Sequence, residues 1–247
     1  MIAGRHALVT GGGSGVGRAI ALALAQAGVG VTICGRRKQP LEATASQGKG
    51  IQPAVADVTD EAAMIALHET RGPFDIVVAN AGMSGSSPAQ RTSLADWQRT
   101  LEVNLTGAFL TVKPALAGMT AHKSGRIVFV ASTAGLKGYG YVAPYVAAKH
   151  GVVGLMRALA VETASSGVTV NAVCPGFVET DMLDESVRRI VAKTGRTIEE
   201  ARASLAATNP QGRFIQPQEV AAAVLWLCST EAGSVTGQAI SLSGGET

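Results

Sequence analysis

Thr10-Gly11-Gly12-Gly13-Ser14-Gly15-Val16-Gly17 holds five glycines in eight residues and follows the apolar run Ala7-Leu8-Val9. Glycine loses more backbone freedom on folding than any other residue. A cluster therefore marks a flexible loop or a backbone that must come close to something. Beyond it, Arg18 to Ala27 carries apolar residues at helical spacing. The cluster thus joins a short strand to a helix, where free amides and the helix dipole favour an anion. Gly11, Gly15 and Gly17 present no side chain to hold a phosphate away, and Ser14 adds a hydroxyl. The spacing is G-x-x-x-G-x-G rather than G-x-G-x-x-G, so a structural turn fits the motif alone almost as well. The strand before and the helix after tip the reading to phosphate.

The same alternation continues outward. Short, mostly β-branched runs stand at Val29 to Cys34, Pro53 to Ala56, Ile76 to Ala79, Ile127 to Val130, Val168 to Val173 and Ala239 to Leu242. They suit strands covered on both faces of a parallel sheet. Helical spacing fills Asp60 to Thr70, Leu94 to Met119, Tyr145 to Ala164 and Gln218 to Cys228. Strand and helix in alternation predict a single-domain, Rossmann-like α/β fold, a doubly wound parallel seven-stranded sheet with helices on both faces.

Bulk properties agree with one domain over residues 1–247. Hydrophobic residues make up 47% and charged residues 16%, which excludes a disordered chain. The net charge of +3 comes without a Lys/Arg run, so no nucleic-acid surface is expected. Cys34, Cys174 and Cys228 lie far apart in apolar runs, and the four histidines form no ligand pattern. Neither a metal site nor a disulfide framework follows. No apolar run reaches membrane-spanning length, and no signal peptide is recognisable, so a cytoplasmic protein without membrane contact is expected.

Tyr145 and Lys149 stand four apart on one helix, so both can point into one site. A free phenol has a pKa of about 10, and a nearby cation lowers it toward useful acid–base work. Ser132, just past the Ile127 to Val130 run, can hold a carbonyl oxygen, and Asn104 can complete a polar chain. Taken singly, each is as readily a packing residue.

Together these stretches resemble the short-chain dehydrogenase/reductases over nearly the whole chain. The motifs follow in order: the Thr10 to Gly17 loop, Asp57-Val58, Asn80-Ala81-Gly82, Asn104, Ser132, Tyr145 with Lys149, and Pro175-Gly176 with Thr180. The resemblance implies an NAD(P)(H)-dependent oxidoreductase interconverting a ketone and a secondary alcohol by direct hydride transfer. Tyr145 would be the acid–base, Ser132 would orient the carbonyl, and Lys149 would bind the nicotinamide ribose and depress the Tyr145 pKa. Asn104 would hold a relay water. Asp57 and Val58 would flank the adenine, and Asn80, Ala81 and Gly82 would line the cofactor and steady the central strand. Val178 and Thr180 would contact the nicotinamide carboxamide, and Pro175 and Gly176 would also bind the cofactor. The Tyr–Lys spacing differs from that of enoyl reductases, and the glycine spacing differs from that of the longer epimerase-like members.

Ile33-Cys34-Gly35-Arg36 ends the second strand with no acid for a ribose 2′-OH, and Arg36 can clamp a 2′-phosphate. NADP(H) is therefore favoured over NAD(H), although Ser14 stands where many NADP-selective members carry a second basic residue. Tyr139 and Tyr141 are read either as a substrate wall or as a subunit contact. Residues 181–210 are expected as a two-helix substrate lid, Asp184 to Lys193 and Ile198 to Thr208. Its Arg188, Arg189, Lys193, Arg196 and Arg202 form a solvated face or attract an anionic handle. The run from Ala143 to Gly154, with Asn171 to Thr180, looks most like 3-ketoacyl-thioester and aromatic-polyketide ketoreductases. A small-molecule carbonyl or alcohol substrate is expected, extending to a CoA or carrier-protein thioester. Free alicyclic or aryl ketones are the alternative, and a catalytically silent dinucleotide sensor is a remote one. The family resemblance also implies a homotetramer.

Overall fold

The computed structural model describes residues 2–247. Seven parallel strands form one sheet in the order β3-β2-β1-β4-β5-β6-β7. They are β1 His6–Thr10, β2 Gly30–Gly35, β3 Ile51–Val55, β4 Ile76–Ala79, β5 Gly125–Val130, β6 Val168–Pro175 and β7 Ala239–Leu242. Pro53 lacks an N–H to donate, and its strand lies at the sheet edge, where that loss is tolerated.

Side chains alternate across the strands, so one apolar run serves two cores. Ala7 and Val9 of β1 pack with Ile20 and Leu24 of α1 (Gly15–Gln26) and Val224 and Leu227 of α9 (Pro217–Cys228). Leu8 between them faces the opposite layer, with Met64 of α3 (Glu61–Arg71), Val112 of α5 (Gly107–Ala121) and Met156 of α6 (Ala143–Thr163). All three cysteines are free and buried.

Two elements depart from the sequence expectation. Leu94 to Met119 is not one regular helix: α4 (Leu94–Leu101) passes through a π-helical turn, Glu102–Thr106, into α5. Helix α2, Lys38–Ala45, was not expected, because it buries only Leu41 and Thr44 and so shows no apolar period. The segment after β6 forms α7 (Asp181–Thr194) and α8 (Ile198–Ala206) around a small core of Leu183, Val187, Ala201 and Phe214. No helix among the described residues is long and apolar enough to cross a membrane.

Candidate active site

Strand order reverses between β1 and β4, and a cleft opens at the carboxyl ends of the strands there, as expected for open α/β sheets. Its volume is about 940 Å³. Every candidate catalytic and cofactor residue lines it: Gly11, Ser14, Gly15, Val16, Gly17, Arg36, Asp57, Val58, Asn80, Ala81, Gly82, Asn104, Ser132, Tyr145, Lys149, Pro175, Gly176, Val178 and Thr180. Of the basic residues expected to draw an anionic handle, Arg189 and Lys193 line it while Arg188, Arg196 and Arg202 do not.

The glycine loop is more specialised than its sequence suggests. A Cβ on Gly17 would stand 2.4 Å from the Gly11 carbonyl oxygen, and one on Gly11 would stand 2.8 Å from Asn80 Nδ2. At these two positions the protein itself needs the space. Gly11 and Gly15 also have φ of +68° and +51°, the left-handed region that glycine adopts without strain. Ser14 N-caps α1 without a side-chain hydrogen bond, which leaves the first amides of α1 without a side-chain cap.

Behind the loop, Thr10 knits β1 to β4. Its Oγ1 accepts from the Asn80 and Ala81 amides at 3.0 and 3.1 Å, and its carbonyl accepts from Asn80 Nδ2 at 2.8 Å. Sequence reasoning missed Thr10 as a support, since a threonine ending a strand carries no distinctive signal. At the other side, Arg36 is exposed just past β2 and forms no hydrogen bond or ion pair among the described residues. Asp57 accepts from the amide and hydroxyl of Thr59 at 3.0 and 2.9 Å. The Thr59 amide, with help from Arg36, holds the Asp57 carboxyl below its usual value.

Ser132, Tyr145, Lys149 and Asn104 converge at the far end. Ser132 Oγ caps a short 3-10 turn by accepting from the Ala134 amide at 3.1 Å. Burial pushes the Tyr145 phenol above its ordinary pKa, and the facing Ser132 hydroxyl pulls it back. Lys149 is 4% exposed and donates to the Val130 carbonyl at 2.8 Å. Burial lowers its pKa to about 8. The sequence expected Lys149 to depress the Tyr145 pKa. Here its ammonium lies 5.6 Å from the Tyr145 ring centroid, and burial dominates the phenol.

Asn104 sits in the π-helical turn and is 1% exposed. Its Nδ2 donates to the carbonyls of Met83 and Thr100, both at 2.9 Å, while Oδ1 accepts from the Met83 amide at 3.2 Å. A Cβ at Gly82 would come within 2.8 Å of that Oδ1 and 3.8 Å of Lys149 Nζ. The glycine therefore lets Asn104 and Lys149 approach the cleft floor together.

Residues of the 181–210 segment line one side of the cleft. Arg189 Nη1 donates to the Ser84 carbonyl at 3.2 Å and Lys193 Nζ to the Ser86 carbonyl at 3.0 Å, tying α7 to the opposite rim. Arg202 is paired with Glu179 and Asp184. Tyr139 and Tyr141 line the cleft, and Tyr141 is exposed with φ +68°. Among the described residues no three His, Cys, Asp or Glu side chains gather in a metal-holding group.

Comparison with known proteins places this geometry. The family model described as short chain dehydrogenase matches residues 5–190. A crystallised single-substitution variant of actinorhodin polyketide ketoreductase with NADPH superposes with a TM-score of 0.93 at 39% identity, covering 98% of this chain and 97% of that one. The 3-oxoacyl-(acyl-carrier-protein) reductase FabG of Vibrio harveyi is 37% identical over 99% of this chain and 98% of its own length. The D-beta-hydroxybutyrate dehydrogenase of Cupriavidus necator is 37% identical over 99% of this chain and 98% of its own. The chain belongs to the short-chain dehydrogenase/reductase family.

Proposed function

We propose that the cleft binds a nicotinamide dinucleotide and interconverts a ketone and a secondary alcohol. The carrying observation is the meeting of Tyr145, Ser132, Lys149 and Asn104 at one end of a cleft whose other end is a glycine loop before a helix. The residues fit the cofactor. Glycines that no side chain could replace shape the loop, amides without a side-chain cap suit a pyrophosphate, and Arg36 stands where a ribose phosphate would lie.

When bound, the nicotinamide supplies or takes the hydride. This chain handles the proton. The Tyr145 phenol donates to the carbonyl oxygen during reduction, and its phenolate accepts the proton from the hydroxyl during oxidation. Ser132 donates to the same oxygen and orients it. Lys149, lowered to about 8 by burial, exchanges protons at mildly alkaline pH and resupplies the site with Asn104. The site residues at the glycine loop, Asp57-Val58 and Asn80 to Gly82 hold the adenine half and the pyrophosphate. Pro175, Gly176, Val178 and Thr180 hold the nicotinamide end.

NADP(H) is favoured over NAD(H) because Gly35 offers no acid and Arg36, exposed at the cleft, makes no hydrogen bond or ion pair among the described residues. Similarity to polyketide ketoreductases and FabG supports a 3-ketoacyl thioester substrate on CoA or a carrier protein. Residues 181–210 act as its lid. A cytoplasmic homotetramer, free of nucleic acid and membrane, completes the proposal.

The test is loss of reduced-nicotinamide absorbance with NADPH or NADH and, in turn, acetoacetyl-CoA, 1-decalone or an aryl ketone. Turnover with the thioester and NADPH supports the full reading. Turnover with free ketones alone overturns the thioester assignment, and an NADH preference overturns the Arg36 clamp. Absence of any turnover with cofactor still bound returns the silent-sensor alternative.

A further inference from the structure

We propose that Glu246 is a positioning residue for the carbonyl substrate, its carboxylate clasping Lys137 and Tyr139 and thereby setting the cleft wall that Tyr139 forms. The inference rests on the reductase reading of the cleft given above.

Glu246 is the penultimate residue, yet its side chain is only 4% exposed. Gly244 and Gly245, with φ of +63° and +99°, turn the tail back onto the body of the protein. A Cβ on Gly244 would strike Asn209 Oδ1 at 1.9 Å, so the turn is packed against the lid's base as well as bent. Oε1 of Glu246 lies 2.6 Å from the Tyr139 hydroxyl oxygen and 3.0 Å from Lys137 Nζ. The Tyr139 hydroxyl is also 2.7 Å from Thr133 Oγ1.

The proton count orders this cluster. An ionised carboxylate only accepts, and a phenol has one proton to give. Tyr139 therefore donates to Glu246, and Thr133 donates to Tyr139. This hydrogen-bond relay starts at Thr133, one residue after Ser132, and ends at Glu246. A Cβ at Gly176 would meet Glu246 Oε2 at 3.4 Å, so the second oxygen faces the Pro175-Gly176 turn of the same cleft. The tail thus ties the 133–139 stretch of the cleft wall through Tyr139 and Lys137, and lies beside the Pro175-Gly176 turn without bonding to it. Burial, reinforced by Glu246, pushes the Tyr139 phenol well above its ordinary pKa, so this tyrosine serves as a fixed wall.

Without the clasp, Tyr139 loses its orientation, while Tyr145 and the Ser132 contact to Ala134 are untouched. The expected signature is in KM. Glu246→Ala and Tyr139→Phe should each raise KM for acetoacetyl-CoA or 1-decalone about tenfold, with kcat and the NADPH Kd changed by no more than about twofold. Glu246→Gln keeps an acceptor oxygen and should recover most of the loss. Amide hydrogen exchange should quicken in residues 133–141 of Glu246→Ala while the sheet keeps its protection. An unchanged KM, or kcat and NADPH affinity both falling as KM rises, overturns the proposal. Unchanged exchange in 133–141 overturns it as well, and needs no turnover to be read. Wild-type protein inert toward every ketone would instead overturn the reductase reading, a different result from a variant that merely matches active wild type.

Discussion

Gly17→Ala tests the glycine loop with one methyl group. Its Cβ would lie 2.4 Å from the Gly11 oxygen, 2.5 Å from Asn80 Nδ2 and 2.8 Å from the Gly11 carbonyl carbon. Even close C···O contacts keep about 3.3–3.6 Å, so roughly 1 Å must be found. Neither neighbour is free to yield. The Gly11 amide donates to the Cys34 carbonyl at 2.8 Å, and Asn80 Nδ2 donates to the Thr10 carbonyl at 2.8 Å. Overpacking costs about 1–3 kcal/mol, and a broken, buried hydrogen bond adds about 1–3 kcal/mol. A total near 3 kcal/mol lowers Tm by about 6–12 °C in a domain of this size. NADPH affinity should fall about tenfold or more as the loop amides shift. Gly118→Ala is the matched control. It is an exposed position in α5 with no atom within 4 Å of the added methyl. It should stabilise by about 0.5–1 kcal/mol through helix propensity alone. The assay is thermal melting by circular dichroism with an NADPH fluorescence titration. Equal melting and equal NADPH binding of Gly17→Ala and wild type would refute the reasoning.

Tyr145→Phe should cut kcat by about 10²–10⁴-fold, the usual contribution of a positioned acid–base group, with NADPH still bound; near-normal turnover would remove Tyr145 from its role. Arg36→Ala should weaken NADPH binding by about tenfold to a hundredfold, as for one charge-assisted contact, and leave NADH almost unchanged. Equal losses for both nucleotides would point to adenine stacking instead. Lys149→Met carries a pH signature. Lys149 titrates at about 8 in the folded protein against its ordinary value of 10.5, so between those values the unfolded chain holds more protons and wild-type stability gains with rising pH. The penalty of the buried cation is complete below pH 8 and absent above 10.5. Relative to Lys149→Met, wild type should therefore gain in Tm from pH 8 upward; a difference flat in pH would show that burial does not perturb this lysine.

Much of the molecule was legible in the chain itself. The apolar runs, their lengths and the helical periods between them determined a parallel sheet, because a strand buried on both faces must be apolar throughout. The glycine loop, the Tyr145–Lys149 spacing and the order of the remaining motifs mark the candidate site in the sequence itself. What stayed hidden had no period to show. Helix α2 buries too few residues to leave a stripe, and the π-helical turn at Glu102–Thr106 buries only the polar Asn104, which adds nothing to an apolar period.

Local sequence determined which segments become strands and helices, since propensity and periodicity act over a few neighbouring residues. Only the tertiary structure decided that Gly11 and Gly17 exist to let two turns pass, that Thr10 ties β1 to β4, and that Glu246 returns to hold Tyr139. The same holds for the protonation of the site. Spacing predicted a cation beside a phenol, but burial set the direction in which each titrates, and burial depends on what the rest of the chain packs around them.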